Sequence, residues 1–261
     1  MEDTKNWPVV ILCGGQGTRM REETEFKPKP MVSIGGQPIL MHIMRTYAKY
    51  GFKRFILCLG YKSEQIKEHF LKAEFNDNDF TLHLNDRRQD VIHRSAKGED
   101  WEITFAQTGL NASTGARVKK IEKYVDTDHF LLTYGDGVAD IDIAKLAKFH
   151  LEQKTTATLS GVKPPARFGL LELEGNKVKK FREKPVMNEY VNGGFYVFGK
   201  KIFDKLSSDD ACVLEYELSC LAEEGGLSIF RHDGFWHMMD TYKDYLDLNK
   251  MWDAGKAKWK V

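Results

Sequence analysis

Apolar positions along this chain follow two rhythms, and the rhythm changes past the middle. In the first half, short and nearly all-apolar runs are each followed by a segment with helical spacing. "PVVILC" (8–13), "RFILCL" (54–59) and "HFLLTY" (129–134) read as strands covered on both faces. Pro38 predicts a helix start, and Ile39, Ile43, Met44 and Tyr47 keep one helical stripe until Gly51 ends it. Ser63 is placed to cap "EQIKEHFLKA". Ile143, Leu146, Ala147 and Leu151 mark one side of a helix near 141–153. Strand, helix and strand at this spacing predict an α/β fold, a doubly wound and mostly parallel sheet with right-handed crossovers.

The second half reads differently. "TTATLSGV" (155–162), "GLLELEG" (169–175), "KVKKFREK" (177–184) and "YVNGGFYVF" (190–198) are short strand patterns with turn residues between them, which predicts hairpins and an appended β-rich region. Helical patterns return near 200–206 and 213–224, and an amphipathic helix closes the chain over 241–254. No linker composition and no internal repeat divides the chain, so one domain is expected. The segment 76–104 pairs two β-like pieces with a charged connection, Asp86 to Asp100. It is open to two readings, a solvated hairpin loop or a functional lid or subunit-contact arm.

Composition narrows the classes. Of 261 residues, 42% are hydrophobic and 30% charged, enough apolar material for a sizeable core. The 39 Lys and Arg nearly cancel the 38 Asp and Glu, which gives no long-range field for gathering nucleic acid or an anionic membrane. The polar start "MEDTKNWP" has no signal-peptide core, and no apolar run reaches the roughly 18 residues of a membrane helix. Cytoplasm is the expected compartment. Cys13 and Cys58 lie in strand-like runs and Cys212 and Cys220 in a helical segment, without metal-site spacing, so buried reduced thiols are expected.

Candidate chemistry begins after the first strand. In "VVILCGGQGTRMREETEFKPKPMV" the third glycine of a dinucleotide loop is replaced by Met20, and no acidic residue ends the second strand. No G-x-x-x-x-G-K-[ST] exists for an ATPase loop. Two readings remain: a tight turn with solvated cations, or a backbone cradle for phosphate oxygens backed by Arg19, Lys27 and Lys29. The prolines flanking Lys29 restrict its directions. In "LLTYGDGVAD", Asp136 follows a buried strand and should share a sheet edge with the glycine loop, because ligands of open α/β sheets bind beyond strand C-termini. It is either a turn aspartate or a Mg²⁺ ligand facing phosphates. Asp240 is a helix N-cap, a metal ligand, or both.

Together these pieces resemble the sugar-1-phosphate nucleotidyltransferases. The resemblance is carried by "ILCGGQGTRMREETEFKPKPMVSIGGQPILMHIM", "TGLNASTGARVKKI", "TYGDGVADIDI", "PPARFGLLEL", "REKP", "NGGFYVF", "GFWHMMDTYKD" and "WDAGKAKWK", nearly end to end. The runs "REETEFKPKPM" and "RFG" and the tail point to the branch that acts on CTP and glucose 1-phosphate. The resemblance implies a Rossmann-like sheet, with 8–160 mainly nucleotide-binding, 161–239 mainly sugar-phosphate-binding, and 240–261 a C-terminal helix and tail. It implies that Leu12, Cys13, Gly14, Gly15, Gln16, Gly17, Thr18 and Arg19 wrap the nucleotide and that Lys29 contacts phosphate. Thr114, Arg117 and Gly135 would complete that pocket, and Asp136 and Asp240 would hold Mg²⁺. Gly169, Glu183, Lys184, Asn192 and Gly193 would grip the sugar phosphate. Arg19, Lys29 and Asp136 are the implied catalytic set. Two departures stand out, Cys13 for a common alanine and Ala116 for a second glycine in "STGAR".

The implied reaction joins CTP and α-D-glucose 1-phosphate into CDP-glucose and pyrophosphate, with a downstream role in deoxysugars of surface polysaccharides. A homo-oligomer built through the terminal helix or the 76–104 arm is also implied. Rival readings are another pyrimidine nucleotide, another sugar phosphate or phosphonate, or a non-catalytic sensor or scaffold. The presence of Arg19, Lys29, Asp136 and Asp240 together argues against the last.

Overall fold

Val9, Val10 and Ile11 are fully buried, because β1 (Val9–Leu12) sits in mid-sheet with apolar layers on both faces. The computed structural model describes residues 4–76, 78–93 and 98–261. Six more strands complete the central sheet: β2 (Arg54–Leu59), β3 (Glu102–Gln107), β4 (His129–Tyr134), β5 (Ala157–Val162), β6 (Val191–Gly199) and β7 (Leu227–His232). Their order is β7-β5-β6-β4-β1-β2-β3. Strands β1, β2, β3 and β4 pair in parallel, as do β5 and β7, while β6 runs antiparallel to both its neighbours.

Alternation along the strands builds two cores. Val9, Ile11, Leu131 and Val197 face α1 (Ile39–Ala48) and α4 (Ile143–Gln153). Val10, Ile56, Phe130, Leu132, Tyr196 and Phe198 face α3 (Thr114–Lys120) and α5 (Leu214–Glu223). Helix α2 (Ser63–Asn76) follows β2, and α6 (Tyr242–Asp253) is the terminal helix. Its tail is sealed by Trp259, 1% exposed, which stacks on Phe235 at 5.3 Å.

Three differences from expectation have local causes. The strands expected as an appended region divide. "ATLSGV" and "VNGGFYVFG" are apolar enough to be covered on both faces and join the central sheet, as does β7. Only the hairpin Leu170–Glu174 with Lys177–Arg182 stands apart. Thr241, not Asp240, caps α6: "TYKD" forms a capping box in which Thr241 accepts from Asp244 N–H and Asp244 accepts from Thr241 N–H. The cysteines are all free, but Cys220 is exposed and Cys212 half-buried, since Cys212 lies in the turn before α5.

Within 76–104, the strands Asp79–Thr81 and Val91–His93 form an exposed hairpin, and Glu102 onward enters the sheet as β3. Residues 77 and 94–97 of that segment lie outside the described residues.

Candidate active site

Parallel register sets the site's edge. Leu12 at the end of β1 pairs with Tyr134 at the end of β4, so the glycine loop and Asp136 leave the sheet at one level. Between them lies a cleft of about 380 Å³. It is lined by Leu12, Cys13, Gly14, Gly15, Gly17, Thr18 and Arg19 of the first loop, by Lys29 and Pro30, and by Tyr134, Gly135, Asp136 and Asp240. Ala112, Ser113, Thr114 and Arg117 close the end.

The glycine loop rests on Arg117. A Cβ on Gly14 would lie 2.0 Å from Nη1 of that guanidinium, so only glycine fits. Gly17 has φ +64°, the left-handed region, where the loop turns into the single helical turn Thr18–Met20. Arg117 donates from Nη2 to the carbonyls of Gly14 (3.1 Å) and Leu110 (3.2 Å). Its Nη1 donates to Leu59 O, Thr108 Oγ1 and Gly109 O. Burial lowers its pKa, which nearby Cys58 and Asp210 partly offset. A guanidinium stays charged throughout the working range, so the loop lies over a buried cation satisfied by neutral oxygens. Burial, with Cys58 and Asp136 nearby, pushes the Cys13 thiol well up, which makes it an inert lining group.

Lys29, flanked by Pro28 and Pro30, has a largely buried side chain. Lys29 Nζ donates to Asp136 Oδ2 at 2.7 Å and to Asp240 Oδ1 at 3.0 Å, partners 107 and 211 residues away. Asp240 also accepts from Arg19, and from Arg167 at 3.3 Å. Burial pushes Asp240 up, but the bond and charge of Lys29, with Arg19 and Arg167, outweigh it and hold the carboxyl below its usual range. Three cations therefore face two carboxylates, leaving positive charge for an anionic ligand. The ribbon that pairs Gly137–Ala139 with Trp236–Met238 brings the carboxylates together, and Met239 N–H donates to Asp136 O at 2.8 Å.

The chain that carries this site is similar to known proteins over nearly its whole length. Residues 8–251 match the family model described as Nucleotidyl transferase. The chain belongs to the nucleotidyl transferase family. It is 45% identical, over 97% of its length and 98% of the relative's, to the Salmonella typhi protein named glucose-1-phosphate cytidylyltransferase. Among solved structures it is similar to HddC from Yersinia pseudotuberculosis complexed with GMP-PN, with TM-score 0.67, 25% identity, and coverage of 94% of this chain and 99% of that one. It shares its fold with a UTP-bound UGPase from Acinetobacter baumannii, with TM-score 0.68, 15% identity, and coverage of 94% and 93%.

In this nucleotidyl transferase the residues expected to wrap the nucleotide line one cleft, with one exception. Gln16 does not line the cleft; it borders a shallower depression with Thr18, Thr24, Glu25 and Tyr61. Lys27 pairs with Glu23, four residues earlier, at 3.0 Å. At the Ala116 departure the side chain is fully buried, and the neighbouring Gly115 packs so closely that a Cβ there would lie 2.8 Å from Cys212 Sγ.

The residues expected to grip the sugar phosphate lie outside the cleft lining. Glu183 and Lys184 sit at the foot of the separate hairpin, their side chains 63% and 51% exposed. A Cβ on Gly169 would lie 3.1 Å from Glu183 Oε2, which places these two side by side. Gly193 packs on Ser160 and its carbonyl accepts from Trp236 Nε1 at 2.7 Å, while Asn192 connects to the cleft only through other side chains. Tyr134, which lines the cleft, and Arg167, which reaches Asp240 from outside the lining, escaped the sequence reading. Arg167 sits inside the quoted "PARFG" run, and Tyr134 directly precedes Gly135 and Asp136, so the motifs marked the segments but not the side chains.

For a metal, Asp136 supplies the decisive observation: its Oδ1 is buried without a hydrogen-bond partner. A free carboxylate oxygen beside Asp240 and a phosphate-sized cradle suits Mg²⁺, which takes one or two carboxylates and completes its shell with phosphate and water oxygens. Among the described residues no group of three or more His, Cys, Asp or Glu gathers, so a fully protein-caged ion is not what this site fits.

Proposed function

We propose that this chain transfers the cytidylyl group of CTP to α-D-glucose 1-phosphate, giving CDP-glucose and pyrophosphate. The observation that carries the reading is the meeting of Lys29, Asp136 and Asp240 beneath a glycine cradle, in a chain 45% identical over nearly its whole length to a named glucose-1-phosphate cytidylyltransferase.

In this reading a phosphate oxygen of the sugar phosphate attacks the α-phosphorus, and pyrophosphate leaves on the opposite side. No general base is required, since a phosphate monoester is already anionic near neutral pH. The obstacle is repulsion between two anions, so the protein's contribution is positioning and charge neutralisation. The amides of the Gly14–Gly17 loop hold phosphate oxygens. Arg19 and Lys29 place positive charge beside the reacting phosphate, and buried Arg117 keeps the loop in shape. Asp136 and Asp240 would hold Mg²⁺, which when bound neutralises phosphate charge. Glu183, Lys184, Asn192, Gly169 and Gly193 take the sugar phosphate, with Arg167 at the boundary between the two substrates.

Three wider proposals accompany this. The setting is the cytoplasm, where nucleoside triphosphates are held; among the described residues no helix is long and apolar enough to cross a membrane. The product feeds deoxysugar and surface-polysaccharide synthesis. The chain works as a homo-oligomer, supported by the separate hairpin, which leaves Leu171, Leu173, Val178 and Phe181 exposed on one face.

The deciding experiment measures pyrophosphate release over the four nucleoside triphosphates crossed with several sugar 1-phosphates, with and without Mg²⁺. Turnover should peak with CTP and glucose 1-phosphate and collapse without the ion. A peak at another pair would overturn the substrate assignment.

A further inference from the structure

Tyr134 ends β4 and lines the cleft beside Asp136. Its ring is seated on Gly194, where a Cβ would lie 2.6 Å from Tyr134 Cδ2, and packs edge-on against Tyr196 at 6.0 Å. One orientation is therefore imposed on its hydroxyl. That hydroxyl bonds Glu215 Oε1, in the first turn of α5, and lies 3.0 Å from the hydroxyl of Tyr196. The other oxygen of Glu215 accepts from Thr114 Oγ1 at 2.8 Å, while Thr114 Oγ1 accepts from Leu214 N–H at 3.0 Å. On the far side, Asn192 Nδ2 donates to Tyr196 OH at 2.6 Å, and Asn192 Oδ1 accepts from Gly194 N–H at 3.0 Å.

The direction of every bond follows from its end. A carboxylate has no proton to give, so Tyr134 and Thr114 both donate to Glu215. The Tyr134 oxygen is then free to accept from Tyr196, and the Tyr196 oxygen from the Asn192 amide. Donors thus run one way from Asn192 to Glu215, an arrangement in which each bond polarises the next. Burial pushes both phenols up, Tyr196 to about 12, so each keeps its proton across the physiological range.

We propose that Glu215 is a positioning residue that ties the nucleotide side of the cleft, through Thr114 and Tyr134, to the sugar-phosphate side, through Tyr196 and Asn192. The inference rests on the assignment of those two sides under the proposed function. Glu215 holds both substrates' contacts to one carboxylate, and it sits on a helix that carries none of the other site residues.

Glu215→Gln leaves the carboxamide only one accepting atom, so it cannot hold Tyr134 and Thr114 together and the tie between the two sides breaks. Loss of a hydrogen bond to a charged group corresponds to about a tenfold change in binding. Steady-state kinetics should be run with whichever nucleotide and sugar phosphate the wild-type chain turns over fastest, with thermal midpoints recorded alongside. Glu215→Gln is expected to raise KM for both substrates about tenfold. Tyr196→Phe cuts only the branch to Asn192, so KM for the sugar phosphate rises and that for the nucleotide stays. In the double variant the sugar-phosphate KM should be no worse than in the worse single, because both changes break one chain.

Unchanged KM values in Glu215→Gln, equal effects of Tyr196→Phe on both substrates, or additive effects in the double variant would each overturn the relay. Should the Glu215 variant not fold, the split in Tyr196→Phe decides alone. A fastest pair other than CTP and glucose 1-phosphate overturns the substrate assignment and leaves the relay standing; no turnover with any pair overturns both.

Discussion

Arg117 Nη2 donates to the carbonyl of Gly14 at 3.1 Å across 103 residues of chain, and the glycine loop rests on that contact. The guanidinium spans Gly14, Leu59, Gly109 and Leu110 carbonyls at once, which a lysine's single ammonium cannot reproduce. Arg117→Lys should cost about 2–3 kcal/mol of stability and raise the nucleotide KM more than it lowers kcat. Urea unfolding and steady-state kinetics on one preparation check this, and an unchanged nucleotide KM would show that the loop stands without it.

Lys29 and Asp136 predict opposite consequences for charge. Lys29→Met removes the cation between Asp136 and Asp240 and brings two partly buried carboxylates into direct repulsion. Turnover should fall at least about a hundredfold, in line with the loss of one transition-state charge contact. Asp136→Asn should fall comparably, and raising Mg²⁺ should not rescue it. Near-normal turnover of either variant at saturating Mg²⁺ would remove that residue from the catalytic set.

A pH dependence of stability follows from His150. Its ring is 1% exposed, its Nδ1 lies 2.8 Å from Thr158 Oγ1, and burial together with the neighbouring His129 lowers its pKa from 6.5 to about 4. The unfolded chain therefore binds a proton between pH 6.5 and 4 that the folded chain refuses. Its contribution is fully present above pH 6.5, declines as pH falls toward 4, and levels off below. The decline amounts to about 3 kcal/mol. Denaturant unfolding at pH 7.5, 5.5 and 4.5 should show a shallower fall for His150→Gln than for the wild type; parallel curves would contradict it.

The exposed hairpin predicts self-association. Register places Leu171 opposite Phe181 and Leu173 opposite Val178, so these four side chains share one face. Leu173→Lys should shift sedimentation toward a smaller species while leaving the thermal midpoint of the central sheet within a few degrees. A wild-type monomer at tens of micromolar would argue that the face serves another role.

The sequence by itself determined what depends on near neighbours. Runs such as "VVIL" and "HFLLTY" carry enough apolar residues to demand burial on both faces, and the parallel connections that follow put Gly14–Gly17 and Asp136 at one sheet edge. Pro28 and Pro30 limit the directions of Lys29 whatever partner it meets. "TYKD" also carries the cap of α6 within four residues, because Thr241 and Asp244 satisfy each other's backbone N–H groups. What only the tertiary structure decided depends on partners far apart in the chain. That "GFYVFG" enters mid-sheet rather than a separate hairpin region, that Arg167 reaches Asp240, and that Tyr134 meets Glu215 all require a register and a packing that no local pattern encodes. Periodicity reports which face of an element is apolar, within a few residues. Which other element covers that face, and which polar groups then converge, is settled by the competition of long-range contacts across the whole fold.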